Sequence, residues 1–452
     1  MFSLIFRSLG FGFVIVAVAA AGVAAPAARQ QPNIVLMMAD DFGYECVTAN
    51  GGQSYQTPNL DRLAATGMRF EQCHVQPLCT PTRVQLMTGL YNVRNYIEFG
   101  AMDPKATTFA HLLKSAGYAT GVGGKWQLGT EPDSGQRFGF DESLLWHHLR
   151  RTSRYANPGF EYNGVAKDYK GEYGPKVVSD FALDFITRNK DRPFFFYYPM
   201  MLTHSPFQPT PDSPEWNPQA GERDGQNRKH FADMTAYMDK MVGRLVAKLD
   251  ELGIRENTLV IFLGDNGTGI DITSRFKGEA YPGGKGRSNA RGTHVPLIVN
   301  WPGRVPAGKV NTDLIASVDF LPTVGEAAGV TLPKGMPPDG RSFLSQARGE
   351  KGLPREWAYF WYAPDGGVTP KYEFAMSTQY KLYRDGTFFD LRSDWFEEKP
   401  RPIGSLSGAE AAAAEKLRVA LNQYATARPA HLLQPRATAK QQKQAERQKK
   451  KK

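Results

Sequence analysis

Asp40-Asp41 and Asp265-Asn266 bring three carboxylates and one amide together in two adjacent pairs, each directly after an apolar run. An all-oxygen donor set suits a hard divalent cation, calcium or magnesium, rather than zinc. Without a cation, three crowded carboxylates would repel one another and raise their own pKa values. Lys125 and His204 follow two further apolar runs. The fifth feature is Cys79-Thr80-Pro81-Thr82-Arg83, leading into residues 84–88 and Gly89. Pro81 fits the first turn of a helix. Cys79 then lies at the positive helix end, where an anion is favoured. Arg83, four residues on, is about one turn away and reaches back toward it. A reactive thiol would also suit this place. Spacing alone does not separate a thiol nucleophile from a modified one.

Positioning these groups requires a sheet. The run over 33–38 is continuously apolar, as expected of a strand buried on both faces, and it delivers Asp40-Asp41. Strands over 118–122, 193–198 and 258–263 lead to Lys125, His204 and Asp265-Asn266, and 295–300 reads as a further strand. Helices are expected from Thr57-Pro58 to Gly67, between Thr107/Thr108 and Gly117, and over 231–252. The alternation predicts an α/β sandwich with a mostly parallel central sheet. Ligands of such sheets bind beyond the carboxyl ends of the strands, so the four polar clusters converge on one rim. Each alone has the ordinary reading of a strand-end turn or helix cap. Their joint occurrence argues for a site.

After about Gly352 the pattern changes. Short strands over 356–362, 373–377, 380–383 and 387–391, then a helix over 408–427, predict a small antiparallel sheet with a packed helix. The expected division is a catalytic α/β domain over 29–352 and a small-sheet subdomain over 353–430. Residues 141–176 and 209–229 lack clear periodicity and read as long loops of the kind that carry function.

The Cys79-x-Pro81-x-Arg83 run, followed by Thr88-Gly89, resembles the signature of the type I, formylglycine-dependent sulfatases of the alkaline phosphatase-like superfamily. The resemblance extends to Asp40-Asp41, Gly124-Lys125-Trp126-Gln127-Leu128-Gly129, Thr203-His204-Ser205-Pro206, Gly264-Asp265-Asn266-Gly267 and Gly284-Lys285-Gly286. It spans residues 33–400, roughly the whole folded body. In that family a separate maturation enzyme oxidises the cysteine to formylglycine. The resemblance therefore implies a sulfuric ester hydrolase acting on sulfated carbohydrate or another sulfate ester. It implies a cation, calcium with magnesium as the alternative, held by Asp40, Asp41, Asp265, Asn266 and position 79. The implied nucleophile is the hydrated formylglycine, which attacks sulfur and later expels sulfate as the aldehyde re-forms. Lys125 and the cation would polarise the sulfate, and Arg83 would stabilise the hydrate. His204 and Lys285 would stand at the bridging oxygen.

One position departs from the pattern. Gln127 stands where the family has His in Lys-Trp-His-Leu-Gly. Gln hydrogen-bonds but accepts no proton at neutral pH. Gln127 fits as a residue that positions the hydrate, and His74, His147 and His148 are the conceivable replacements for the base, each against an ordinary surface or core reading. Two other functions stay open. One is a catalytically silent binder of sulfated glycans, supported by Gln127. The other is a phosphodiesterase or phosphonate hydrolase of the same superfamily. A two-zinc phosphatase is disfavoured, because a His-rich ligand set is missing.

Composition bounds the rest. The chain has 452 residues and a formal charge of +10. Residues 436–452 hold eight Lys/Arg and one Glu, a net of +7, so the body carries little excess charge and gives no reason to propose a nucleic-acid groove. That tail, taken as 431–452, reads as disordered. Arg7 followed by an Ala-rich apolar stretch reads as a signal peptide over 1–28, which leaves a periplasmic or secreted body without stable membrane insertion. The cysteines are Cys46, Cys73 and Cys79. Beside Cys79 the other two read as buried apolar residues rather than a disulfide. Arg150, Arg151, Arg154, Trp146, Tyr155, Tyr162, Arg275 and Lys277 could line a charged-sugar pocket, or be surface scatter.

Overall fold

Alternate residues of β1, Asn33–Ala39, feed two different apolar layers. Ile34, Leu36 and Met38 enter one, and Val35, Met37 and Ala39 the other. Both faces of the strand are covered, which is why the run looks uniformly apolar in sequence. The structure is a computed structural model that describes residues 31–146, 152–337, 339–367 and 369–433, with residues 1, 2 and 5. Nearly all of the expected leader, the tail beyond 433, and His147, His148, Arg150 and Arg151 lie outside the described residues. The strands and helices of the body all belong to one unit, Gln31–Lys452.

The further strands are β2 Met68–His74, β3 Ala119–Lys125, β4 Glu142–Trp146, β5 Gly159–Tyr162, β6 Val165–Asp168, β7 Phe194–Pro199, β8 Thr258–Gly264, β9 Thr273–Phe276, β10 Glu279–Pro282, β11 Leu297–Asn300 and β12 Lys309–Ala316. Ten of them form one sheet in the order β12-β2-β11-β8-β1-β7-β3-β4-β5-β6, and β9 and β10 pair separately. The central strands β8, β1, β7, β3 and β4 run parallel. β11 is antiparallel to both its neighbours, and β4-β5-β6 is an antiparallel run. The sheet is therefore mixed, with the expected parallel part at its centre. The segment 141–176, expected as a long loop, contains β4, β5, β6 and the start of helix Gly174–Arg188. Its strands are only four or five residues long, and β4 is almost wholly buried while β6 is exposed throughout, so no common period runs through the segment.

Two helix starts show how sequence signals are redirected by packing. Thr108 caps helix Phe109–Ser115 as expected, accepting from the backbone N–H of Ala110 and His111. Thr57 makes no such bond at helix Pro58–Ala65. Instead Asp239, from helix His230–Glu251, accepts from the backbone N–H of Asn59 at 3.0 Å and of Leu60 at 2.9 Å. A distant carboxylate thus does what a local hydroxyl was expected to do.

The second sheet is an antiparallel meander of β13 Ala358–Tyr362, β14 Tyr372–Met376, β15 Tyr380–Tyr383, β16 Thr387–Asp390 and β17 Arg401–Pro402. Helix Gly408–Gln423 packs on it, ending short of the expected residue 427. Tyr359 and Phe374 share one apolar layer with Leu36 and Val84, so the small sheet is joined to one face of the large one. Cys46 and Cys73 are free and buried.

Candidate active site

β1, β3, β7 and β8 all end on the same edge of the sheet, because they are parallel neighbours. Asp40 and Asp41 follow β1, Lys125 is the last residue of β3, His204 lies beyond β7, and Asp265-Asn266 follow β8. Delivering Lys125 requires an unusually close approach of chains. Gly124 has φ +128°, and a Cβ there would stand 2.0 Å from the Pro199 carbonyl oxygen. Only glycine fits.

β2 ends at His74, and a short loop leads into helix Cys79–Thr88. Every residue of this helix is buried, so it has no amphipathic face to reveal it. Gly89, at φ +67°, ends it. Cys79 occupies its first position. The ligand atoms of Asp40, Asp41 and Cys79 lie within 4.8 Å of one another, and all three residues are buried.

A ring of ion pairs surrounds this point, all buried except at Lys285, which is partly exposed. Lys125 Nζ donates to both oxygens of Asp40, at 2.7 and 2.8 Å. Lys285 Nζ lies 2.7 and 2.8 Å from the two oxygens of Asp41. Arg83 donates to Asp265 Oδ2 at 2.9 Å and to the Lys125 carbonyl at 2.7 Å. Asp41, held at φ +59°, donates its backbone N–H to Asp265 Oδ1 and accepts from the Asn266 amide at 2.8 Å. Arg154 adds a further contact, donating to Asp40 Oδ2 at 3.0 Å.

The charges set the protonation states. Burial pushes the Asp40 carboxyl up, but Lys125 and its other polar neighbours hold it well below the ordinary range. Burial likewise opposes Lys285 at Asp41, and Lys285 prevails. Asp265 is pushed up to about 6 by burial and by Asp40, against Arg83. Burial, then Arg154, lowers His204 to about 3, so its ring is neutral. Its Nδ1 is 2.6 Å from the Ser205 carbonyl, which makes Nδ1 the donor, while Nε2 is 3.7 Å from Asp41 Oδ2. Burial raises the Cys79 thiol despite Lys125 and Lys285. An unmodified thiol there stays protonated at neutral pH and is a poor nucleophile.

The donor set fits a hard cation. Asn266 spends its amide N–H groups on Asp41 and the Gly267 carbonyl, leaving its buried Oδ1 without a hydrogen-bond partner among the described residues. Such an idle oxygen beside three carboxylates is the arrangement a cation ligand requires.

Gln127 has φ +57° and is buried, and its Oε1 likewise lacks a partner among the described residues. Its backbone carbonyl accepts from Thr80 at 3.4 Å, which ties it to the start of the Cys79 helix. His74 does not replace the family's histidine. It is a core residue, 3.3 Å from Thr293 Oγ1 and stacked on His294. Tyr162 packs edge-on against Phe181, and Arg275 bonds within its own hairpin to Gly278. Arg154, by contrast, enters the site, from a segment without clear periodicity.

A family model described as Sulfatase matches residues 32–330. The chain belongs to the sulfatase family. A second model, N-sulphoglucosamine sulphohydrolase C-terminal, matches residues 289–401. Human arylsulfatase A is 32% identical over 409 residues, covering 80% of this chain and 78% of that one. Canine N-acetylgalactosamine-6-sulfatase is 31% identical over 386 residues, covering 77% and 72%. Among solved structures, that of Ps i-CgsB in complex with k-i-k-neocarrahexaose superposes with a TM-score of 0.73 at 25% identity, covering 90% of this chain and 95% of that one. This sulfatase is accordingly a sulfuric ester hydrolase of α/β fold with a small antiparallel sheet.

Proposed function

We propose that the enzyme hydrolyses sulfate esters of carbohydrate, using a formylglycine made from Cys79 and a divalent cation, calcium or magnesium. The observation that carries this reading is the meeting of Cys79, Asp40 and Asp41 at a helix N-terminus, between the ammonium groups of Lys125 and Lys285. Asp40, Asp41, Asp265, Asn266 and position 79 would hold the cation, which supplies Lewis-acid polarisation of the ester. Formylglycine at position 79 would supply, as its hydrate, the oxygen nucleophile. Carbohydrate is favoured because one relative is named for a sulfated amino sugar and one structural neighbour was solved with a neocarrahexaose.

The chain's own residues then divide the work. Arg83, locked by Asp265 and the Lys125 carbonyl, fixes a positive charge beside position 79. Lys125 and Lys285 flank the sulfate and offset its charge as the bond to sulfur changes. At the bridging oxygen, Lys285 is the group with a proton to offer. His204 is neutral and presents Nε2 as an acceptor. Gln127, whose Oε1 has no partner among the described residues, would orient the group at position 79 and takes no proton.

Among the described residues no helix is long and apolar enough to cross a membrane. We read the protein as exported, to the periplasm or outside the cell, on the strength of its N-terminal sequence.

The test is sulfate release by protein co-produced with a formylglycine-generating enzyme, with the aldehyde at position 79 verified by mass spectrometry. Release from sulfated sugars is expected. Binding without release would favour the silent-binder reading, for which Gln127 speaks. A higher rate on the matched phosphate ester would favour the phosphodiesterase reading.

A further inference from the structure

Arg154 is a surplus cation. The buried carboxylates of the site are Asp40, Asp41 and Asp265, and Lys125, Lys285 and Arg83 already engage one each. Those three cations all stand in motifs shared with the family. Arg154 stands in none, yet its guanidinium reaches Asp40 Oδ2, whose oxygens both already accept from Lys125. It is buried, with its guanidinium carbon 4.5 Å from the centre of the Trp146 ring and Nη1 3.5 Å from the Met201 carbonyl. Tyr155, next in sequence, donates to the carbonyls of Met201 at 3.0 Å and of His204. The arginine is thus clamped between a ring, a carboxylate and the strand-end turn that carries His204.

The charge balance of the site has a direction. Four cations face three carboxylates before any metal is bound, and a divalent ion would widen the excess. A sulfate monoester brings one negative charge. Excess buried charge without a counter-charge is costly, so the site as built favours an occupant with more than one. A planar guanidinium held in place by stacking is suited to an oxygen anion, which it can bind through two parallel N–H groups.

We propose that Arg154 is a substrate-binding residue that selects sulfate esters carrying a second anionic group, a sulfate or a carboxylate, close to the scissile one. The proposal rests on the sulfate-ester reading above.

Calorimetric titration of the Cys79→Ser protein, which cannot turn over, measures binding without chemistry. The probes are a monosulfated N-acetylhexosamine, the matched disulfated hexosamine, and a sulfated sugar bearing a uronic carboxylate. Wild-type Arg154 should bind one of the two dianionic classes roughly tenfold or more tightly than the monosulfated sugar, as expected for an added charged hydrogen bond. The class preferred identifies the second anion. Arg154→Gln should abolish that preference while changing monosulfated binding far less. Arg154→Lys keeps the charge without the planar fork and should keep part of the preference. An unchanged preference in Arg154→Gln overturns the proposal. So does the absence of any preference in the Arg154 protein, whether or not the variants fold. Either result leaves the sulfate-ester reading intact if matured enzyme releases sulfate, whereas no release from any sulfate ester refutes that reading itself.

Discussion

The guanidinium of Arg83 donates to the carboxylate of Asp265 at 2.9 Å, with both side chains buried. The pair joins the Cys79 helix to the end of β8, and so fixes the nucleophile position against the carboxylates. Arg83→Met would leave Asp265 buried and unpaired. Breaking one side of a buried pair costs about 3–5 kcal/mol. Urea denaturation of the variant should show a loss of that size, and a loss below about 1 kcal/mol would contradict the structural role given to the pair.

Removal of divalent ions should abolish sulfate release and lower thermal stability, with calcium or magnesium restoring both. The stabilisation follows mass action, about 2.7 kcal/mol at a hundredfold excess over Kd. Asn266→Ala removes the idle Oδ1 and should weaken the metal-dependent rise in Tm, measured by differential scanning fluorimetry across a calcium titration. An identical titration curve in the variant would remove Asn266 from the ligand set.

Gln127 lies where a proton acceptor is expected for discharge of the sulfated enzyme. In wild-type enzyme, rapid-mixing experiments with a chromogenic aryl sulfate should show a burst of about one product per active site, followed by slow turnover. Gln127→His should raise kcat by roughly a hundredfold, the lower range for general-base catalysis, and erase the burst. No burst in wild type together with an unchanged kcat in the variant would show that another group takes the proton.

His294 provides a pH signature outside the site. It is stacked on Tyr44 at 4.1 Å and lies 5.0 Å from the His74 ring, and burial lowers it to about 4. Unfolded, it would titrate near 6.5. Between these values the unfolded chain binds the extra proton, so stability rises with pH. The contribution is full above pH 6.5 and is lost as pH falls toward 4, on the order of 3 kcal/mol in all. Tm measured from pH 7 to 4 should fall less steeply in His294→Gln than in wild type. Parallel curves would assign the acid loss to other groups.

The strands that carry the site were legible because each is buried on both faces, which leaves a continuous apolar run followed by a polar cluster. β2 was not legible, although it leads to Cys79. Its polar residues Arg69, Glu71 and Gln72 are only partly covered, and its period is broken by a polar end. β4 to β6 were obscured because each is only four or five residues long, and their burial changes from nearly complete in β4 to none in β6, inside a segment that reads as loop. The helix beginning at Cys79 was visible only through its Pro81 and Gly89, since burial on every side removes amphipathic periodicity.

By itself the sequence determined the ligand chemistry, the order of the strand-end clusters and the likeness to sulfatases, because these depend on residue type and short spacing. It also determined the odd member, Gln127. Tertiary structure alone decided which cation meets which carboxylate. The partners Lys125 and Asp40 are 85 residues apart, and Lys285 and Asp41 are 244 apart. Pairings at such separations are set by sheet order and not by local pattern. The same holds for Arg154, which meets Asp40 114 residues away in sequence, and for His74, which the fold turns into the core.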